Sequence, residues 1–170
     1  MALREIHTIP DPVLRHKAHP VKQFDPELQA LIDDMVETMR QAPGVGLAAP
    51  QVGVSQRVIV VEYSKDDEDE EAPKKLYVVV NPELKVTDAS PVKGVEGCLS
   101  LPGLLGEVER SQALTVKGLN RHGSPVRIKA AGWLARIFQH EVDHLDGVVF
   151  TDRASRIWKP ELEDDHFDNV

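Results

Sequence analysis

The chain has 170 residues, of which 41% are hydrophobic and 28% charged, a composition that is typical of globular proteins and excludes a disordered or fibrous chain. This length predicts a single domain over residues 1–170. The formal net charge of −8 at pH 7 argues against nucleic-acid binding, which needs clustered Lys and Arg to replace phosphate counterions.

The sequence gives no indication of secretion or of membrane insertion. The first 20 residues mix charged side chains with prolines and lack the apolar stretch of a secretion signal. No segment approaches the roughly 20 consecutive apolar residues that a membrane-spanning helix requires. The single cysteine excludes an intramolecular disulfide and fits a reducing compartment. We therefore expect a soluble, cytoplasmic protein that contacts no membrane.

The first predicted element is an amphipathic helix. Asp25 and Pro26 are a typical helix cap and a typical first helical residue. Apolar side chains then recur at helical spacing as far as residue 39; they are Leu28, Leu31, Ile32, Met35, Val36 and Met39. This stripe predicts a helix that packs against the core and ends before Pro43.

Several short runs rich in β-branched residues predict strands. They lie at residues 57–63, 76–80, 83–87, 113–119 and 125–129, and the last three are bounded by Gly, Pro, Asn or Ser. The first two are expected to form a hairpin. The acidic run between them, residues 66–71, is expected to be a solvated loop rather than a metal site.

The helical period returns at about Ala131 and places two apolar residues and two histidines on one helix face: Trp133, Ile137, His140 and His144. Gly147 lies where a helix commonly ends. Residues 154–158 predict another short helix before an acidic tail over residues 159–170. Strands grouped around two separate helices favour an α+β fold. We expect small antiparallel or mixed β-sheets packed around a central helix that carries the sequence HExxH, plus the N-terminal amphipathic helix.

The HExxH sequence occupies residues 140–144. Residues four apart on a helix project from one face, so His140 and His144 can bind one metal ion. Glu141 can then reach a water molecule at the open coordination position and take its proton. Catalytic metal sites usually have three protein ligands, so one more ligand is needed.

The motif leaves the third ligand open. The longer metalloprotease pattern HExxHxxGxxH would need a histidine at the position of Phe150. The other histidines lie in polar or terminal segments and are expected at the surface; they are His7, His16, His19, His122 and His166. Cys98 is the better candidate, because a thiolate suits Zn²⁺ or Fe²⁺ and Gly97 permits close backbone approach. The alternative is a buried, inert cysteine.

Residues 44–51, Gly-Val-Gly-Leu-Ala-Ala-Pro-Gln, form a further segment of interest. They lack the Lys–Ser/Thr pair of a phosphate-binding loop. The glycines could let backbone groups line a cleft, and Gln51 could offer an amide donor to an oxyanion. The alternative is a small-residue turn that follows the first helix.

Taken together, these segments resemble peptide deformylase. The family's motifs GxGLAAxQ, EGCLS and QHExDHLxG occur in that order at residues 44–51, 96–100 and 139–147. The opening at residues 9–15 is also similar, so the resemblance covers residues from about 6 to 155. It implies a single catalytic domain that removes the formyl group from the N-terminal methionine of new polypeptides and releases formate.

The resemblance also implies catalytic roles. The metal ligands would be Cys98, His140 and His144. Glu141 would be the general base and then the general acid. Gln51 and the backbone N–H of Leu99 would bind the developing oxyanion.

Substrate-binding roles follow from the same resemblance. Backbone groups of Val45, Gly46 and Gly97 would hold the peptide in extended form. Trp133 and Ile137 share the ligand face of the helix and could wall the methionine slot, with core packing as the alternative. Glu96 and Arg110 would form a supporting ion pair.

The resemblance favours Fe²⁺ as the native cofactor, one ion per chain, while Zn²⁺, Ni²⁺ or Co²⁺ would fit the same ligands. The implied partners are formyl-methionyl nascent peptides. Ribosome contact through a basic C-terminal helix is not expected, because acidic residues outnumber Lys159 in the tail; they are Glu161, Glu163, Asp164, Asp165 and Asp168.

Two other functions stay open at this point. The first is an HExxH metalloprotease that cuts internal peptide bonds, with Glu161 or Glu163 as its third ligand. The second is a non-catalytic binding module that a metal stabilises. An intact Glu141 argues against the second, because a closed structural site needs no general base.

Overall fold

The computed structural model describes residues 2–64 and 71–160 and has the predicted α+β fold. Two α-helices lie in these residues, α1 (Pro26–Gln41) and α2 (Gly132–Leu145). The strands are β1 (Gly46–Ala48), β2 (Val58–Tyr63), β3 (Lys75–Cys98), β4 (Leu101–Leu119), β5 (Pro125–Ala131) and β6 (Arg156–Trp158). Short 3-10 turns occupy Pro12–Arg15, Ala49–Val52 and Phe150–Asp152. The predicted acidic loop, except the exposed Glu71, and the tail beyond residue 160 lie outside the described residues.

The described strands form one antiparallel sheet in the order β1-β2-β3-β4-β5, with β6 paired to β4. This differs from the several small sheets that were predicted. The predicted strand 83–87 is the middle of β3, which continues to Cys98. Register shifts near Pro82 and Pro91 make β3 irregular without ending it, and a proline's missing N–H is tolerated at such positions.

The prediction of a short helix over residues 154–158 is wrong. Residues 156–158 form β6 and pair with residues 105–107 of β4. The N–H of Ser155 also donates to the carbonyl of Glu107 at 2.9 Å. So short a segment gains little from helical hydrogen bonds, because helix nucleation is unfavourable, whereas the edge of β4 offers it backbone partners directly.

Apolar clusters hold both helices against the sheet. Asp25 caps α1 by accepting the N–H of Leu28 at 2.9 Å. The whole stripe of α1 is buried; its members are Leu28, Leu31, Ile32, Met35, Val36 and Met39. A second cluster packs α2 through Phe138 against Tyr77 and other sheet residues. In the described part of the chain, no helix is long and apolar enough to cross a membrane.

Gly147, just after α2, lies close to the backbone of Arg15, and a substitution at this glycine tests that contact. Its φ is 75°, and an added Cβ would lie 2.5 Å from the carbonyl oxygen of Arg15. Gly147→Ala should therefore lower the free energy of unfolding by more than the ~1–2 kcal/mol cost of left-handed backbone alone. Urea denaturation measures this change.

Gly103 is the matched control for that substitution. Its φ is 78°, but no heavy atom of the described residues lies within 4 Å of the Cβ position. Gly103→Ala should show only the conformational cost. Equal losses of stability in the two variants would contradict the close approach of Arg15 to Gly147.

Candidate metal centre

Three buried side chains with metal-binding atoms meet between the end of β3 and α2. Cys98 is the last residue of β3, and His140 and His144 lie one turn apart on α2. The Cys98 Sγ lies 3.3 Å from His144 Nε2, and one ligand atom from each residue lies within 4.8 Å of the others. Each residue is at most 2% exposed. The fold thus brings the three residues predicted as ligands together.

The donor set fits a divalent metal ion. Two donors bound tetrahedrally at about 2.0–2.3 Å from one ion lie roughly 3.5 Å apart, close to the observed separation of Cys98 and His144. Within the described residues, His140 Nε2 and both oxygens of Glu141 are buried without a hydrogen-bond partner. Buried polar atoms normally have partners, so this concentration of unpaired ones indicates a place for an ion and for water.

Burial controls the protonation of these groups in the absence of a cation. It raises the pKa of the Cys98 thiol, and the charge of Glu141 acts in the same direction. Burial also raises the pKa of Glu141, and the negative charge of Glu96 raises it further. Burial lowers the pKa of His144. All three shifts disfavour the charged form. A bound cation reverses this preference at the cysteine, because a coordinating thiol is deprotonated.

Glu96 contacts the ring nitrogen of His140 that does not face the site. Its Oε1 lies 2.9 Å from His140 Nδ1, so that Nε2 is left for the site. Arg110 donates to both oxygens of Glu96, at 2.9 and 2.8 Å, and this is the predicted ion pair. Burial alone would raise the pKa of Glu96, but hydrogen bonds from Arg110 and His140 outweigh it and hold the pKa far below its usual range. Metal-binding histidines are commonly oriented by a carboxylate in this way.

Residues 44–51 lie on the other side of Glu141. A Cβ at Gly46, in β1, would lie 2.5 Å from Glu141 Oε2. Gln51 is fully buried, and its side-chain oxygen accepts the N–H of Ala48 at 3.0 Å. This contact orients the amide nitrogen of Gln51, which lies 3.6 Å from Cys98 Sγ.

Comparison with known proteins decides the family. Residues 3–159 match the family described as polypeptide deformylase. The chain belongs to this family. The peptide deformylase of Halothermothrix orenii is 52% identical over 92% of this chain and 97% of that protein.

Solved deformylase structures have the same fold. The crystal structure of a peptide deformylase from Legionella pneumophila matches with a TM-score of 0.80 and 46% identity, covering 91% of this chain and 87% of that one. The Ehrlichia chaffeensis peptide deformylase in complex with actinonin matches with a TM-score of 0.84 and 40% identity, covering 92% and 91%.

Membership of the deformylase family establishes the type of enzyme. The chain is a metal-dependent hydrolase that removes the N-formyl group from the N-terminal methionine of nascent polypeptides. This assignment excludes the two alternative functions, the metalloprotease and the non-catalytic binding module. Phe150, at the position where the metalloprotease pattern has its third histidine, stacks on His140 with ring centroids 6.1 Å apart. Glu161 and Glu163 lie outside the described residues.

A cavity of about 400 Å³ opens beside the start of α2 of the deformylase. Trp133, which was predicted for the methionine slot, lines it together with Tyr63, Val92 and Arg136. Ile137, the other residue predicted for the slot, is fully buried in the cluster between α2 and the sheet.

The residues predicted to contact the peptide backbone and the oxyanion lie beside the ligand set. Val45 directly precedes β1 and Gly46 begins it, and β1 is the outermost strand at its end of the sheet. Gly97 precedes Cys98 and pairs with β4. Leu99 follows Cys98 in the turn to β4 and is half-buried.

The remaining histidines lie elsewhere on the molecule. His16, His19 and His122 are exposed, as predicted. His7 is half-buried instead, with its Nδ1 2.6 Å from Asp11. His166 lies outside the described residues.

Arg136 and Ser100 contact the predicted site residues but were not themselves predicted from the sequence. Arg136 lies four residues before His140, and its guanidinium donates to Glu96 at 2.6 Å. A charged residue inside an apolar helix stripe, one turn from a predicted ligand, is the feature that could have revealed it. The Oγ of Ser100 lies 3.1 Å from the amide nitrogen of Gln51 and helps to hold that amide. Ser100 ends the EGCLS motif, which singles out the residue, but its contact with Gln51 depends on the fold.

Gly46→Ala should impair catalysis while sparing the metal. The added methyl group would lie 2.5 Å from Glu141 Oε2 and 2.9 Å from its Cδ, so the carboxylate must move. Misplacing a reacting group by about 1 Å can reduce turnover by about 10²-fold. We expect a fall in kcat for a formyl-methionyl peptide with unchanged metal content, and unchanged kcat in the control Gly103→Ala. A kcat for Gly46→Ala equal to that of the wild type would contradict the close approach of Gly46 to Glu141.

Proposed function

We propose that the catalytic metal ion of this deformylase is held by Cys98, His140 and His144, and that Glu141 transfers the proton in the reaction. The observation that carries the proposal is the meeting of three buried metal-binding atoms beside a buried carboxylate without hydrogen-bond partners among the described residues. The substrate is a formyl-methionyl nascent peptide, and the products are formate and a peptide with a free N-terminus.

Bound by these residues, a divalent ion would polarise the formyl carbonyl and lower the pKa of the attacking water. Cys98 contributes the negative charge of the donor set as a thiolate, while His140 and His144 contribute neutral imidazoles. We propose Fe²⁺ as the native ion, one per chain, and Zn²⁺, Ni²⁺ and Co²⁺ suit the same donors.

Glu141 moves the proton between water and the leaving group. Its carboxylate accepts a proton from the attacking water and later delivers it to the amine nitrogen as the formamide C–N bond breaks. Gly46 leaves room for this carboxylate, because a Cβ at that position would lie 2.5 Å from Glu141 Oε2. Asp143 is not equivalent, because it is bound to Arg110 at 2.7 Å and to Arg153 at 2.6 Å.

Gln51 and Leu99 stabilise the negative charge that develops on the formyl oxygen. The side-chain oxygen of Gln51 is engaged by Ala48, so its amide nitrogen is the group that donates toward the site. The backbone N–H of Leu99 is the second donor. Each oxyanion donor typically stabilises the transition state by about 3 kcal/mol.

The peptide binds in extended form along the backbone of Val45, Gly46 and Gly97. Support comes from β1, because an outermost strand can accept one more strand by hydrogen bonding. Trp133, in the cavity beside α2, and Ile137, one turn before His140, form the apolar wall for the methionine side chain.

The whole chain, residues 1–170, is proposed to act as one catalytic domain in the cytoplasm. Its partners are nascent peptides rather than nucleic acid or a membrane. Ribosome contact would not use a basic C-terminal helix, because the segment after Lys159 is strongly acidic.

An assay of formate release tests the proposed function. Metal-loaded enzyme is offered a formyl-methionyl peptide, the same peptide with an acetyl group in place of the formyl group, and an unformylated peptide with internal bonds. We expect formate from the first substrate only, with activity proportional to metal bound per chain. Cleavage of the internal bonds without formate release would contradict the proposal.

A further inference from the structure

Arg136 is a charged residue in the apolar interior, and the reaction steps described above do not use it. It is 3% exposed and lies on α2 one turn before His140. Its guanidinium contacts an acid, two backbone carbonyls and an aromatic ring: Glu96 Oε2 at 2.6 Å, Val108 O at 3.0 Å, Val92 O at 2.6 Å and the Trp133 ring at 5.4 Å. Such a set of partners is needed because an unpaired buried charge is strongly unfavourable.

The two oxygens of Glu96 have different partners. Oε1 accepts from Arg110 at 2.8 Å and lies 2.9 Å from His140 Nδ1. Oε2 accepts from Arg110 at 2.9 Å and from Arg136 at 2.6 Å. Arg136 therefore binds the oxygen that does not face the histidine. Hydrogen bonds from two guanidinium groups hold the carboxylate in one orientation, with Oε1 toward His140.

Arg136 also supplies a positive charge that Arg110 cannot supply alone. Arg110 is shared between Glu96 and Asp143, at 2.8 and 2.7 Å. Asp143 is also bound by Arg153, at 2.6 Å, whereas the guanidinium groups that bind Glu96 are those of Arg110 and Arg136. Without Arg136, the shared Arg110 would be the one guanidinium left on the buried Glu96 among the described residues.

Gly94 provides the space that Arg136 occupies. A Cβ at Gly94 would lie 2.7 Å from Cζ of Arg136 and 2.8 Å from its Nε. Gly94 pairs in the sheet with Val108, whose carbonyl Arg136 binds. A side chain at position 94 would therefore displace the guanidinium from both Val108 and Glu96.

We propose that Arg136 is a positioning residue of the metal centre: it holds Glu96 so that Oε1 orients His140. Gly94, which has no side chain, leaves the space that the Arg136 guanidinium needs. The inference rests on the proposed function, in which His140 binds the metal through Nε2. Residues that support a metal ligand from behind typically change metal affinity by about 10–100-fold. Arg136 acts on the metal only through Glu96 and His140, so we expect a change in metal affinity near the lower end of that range.

The test uses enzyme loaded with Co²⁺, whose visible absorption bands report the geometry of its ligands. Arg136→Met keeps an unbranched apolar stem without the guanidinium charge, Arg136→Lys keeps the charge without the planar fork, and Gly94→Ala displaces the native arginine. We expect Arg136→Met and Gly94→Ala to shift the absorption bands and to lose Co²⁺ to a chelator about tenfold faster than wild type. Arg136→Lys should give intermediate values.

Leu134→Ala is the matched control, because Leu134 is 2% exposed on the same helix and belongs to the apolar cluster. It should lower Tm while leaving the bands and the rate of metal loss unchanged. Unchanged bands and rate in Gly94→Ala and in any Arg136→Met protein that folds would overturn the proposal, as would an equal change in Leu134→Ala. Wild-type protein that binds no Co²⁺, or bands that persist in Cys98→Ala, would instead overturn the proposed function.

Discussion

Glu141→Ala is expected to lower turnover of a formyl-methionyl peptide by about 10²–10⁴-fold, the typical contribution of general acid–base catalysis. The carboxylate is fully buried, and neither of its oxygens has a hydrogen-bond partner within the described residues. Asp143 cannot replace it, because that carboxylate is bound to Arg110 and Arg153. Metal content should stay unchanged, since Glu141 is not one of the proposed ligands.

Formate release at saturating peptide, with metal per chain measured on the same sample, checks this expectation. Asp146→Ala is the matched control, because it removes an exposed carboxylate just past α2 that pairs with Arg57 at 3.0 Å. Its turnover should stay close to that of wild type. Loss of metal from Glu141→Ala would make Glu141 a ligand, and retained turnover would place the base on another residue.

Cys98→Ala is expected to abolish stable metal binding and, with it, formate release. The substitution removes the one anionic donor of the set and leaves only His140 and His144, and two imidazoles alone bind a divalent ion weakly. Metal per chain after dialysis against a weak chelator measures the loss. Excess added metal should restore little activity.

Cys98→Ser distinguishes the loss of the sulfur donor from the loss of side-chain volume. Its hydroxyl fills most of the same space but is a poor ligand at neutral pH, so it should also lose metal. The alternative of a buried, inert cysteine predicts that both variants keep their metal and their turnover. Either variant binding metal as tightly as wild type would contradict the role proposed for Cys98.

Local patterns in the sequence were sufficient to predict α1 and α2, and non-local pairing explains where the other predicted elements differ from the structure. The cap at Asp25 and the apolar stripe to Met39 are features of neighbouring residues, and α1 has both. The full length of β3 depends instead on β4, which pairs with it across Pro82 and Pro91. Residues 156–158 become a strand because β4 offers an edge, and that edge lies about 50 residues earlier in the sequence.

The same distinction holds for the candidate site. His140, Glu141 and His144 are adjacent on one helix, so their spacing alone indicates a metal site. Cys98 was predicted from the chemistry of a thiolate and the neighbouring Gly97, and the resemblance to the family implied the same role. It is far from the histidines along the chain but 3.3 Å from His144 in space. Arg136 was missed because its role depends on Glu96, 40 residues away in the sequence, and on the space at Gly94.

The most direct test of the metal centre is a crystal structure of the metal-loaded enzyme with anomalous diffraction recorded at the absorption edge of the bound metal. We predict one anomalous peak per chain, about 2.3 Å from Cys98 Sγ and about 2.0–2.1 Å from the Nε2 atoms of His140 and His144 if the ion is zinc. Glu141 should approach the ion only through a water molecule. A peak bound elsewhere, or a fully loaded enzyme in which Cys98 does not contact the ion, would contradict the proposed centre.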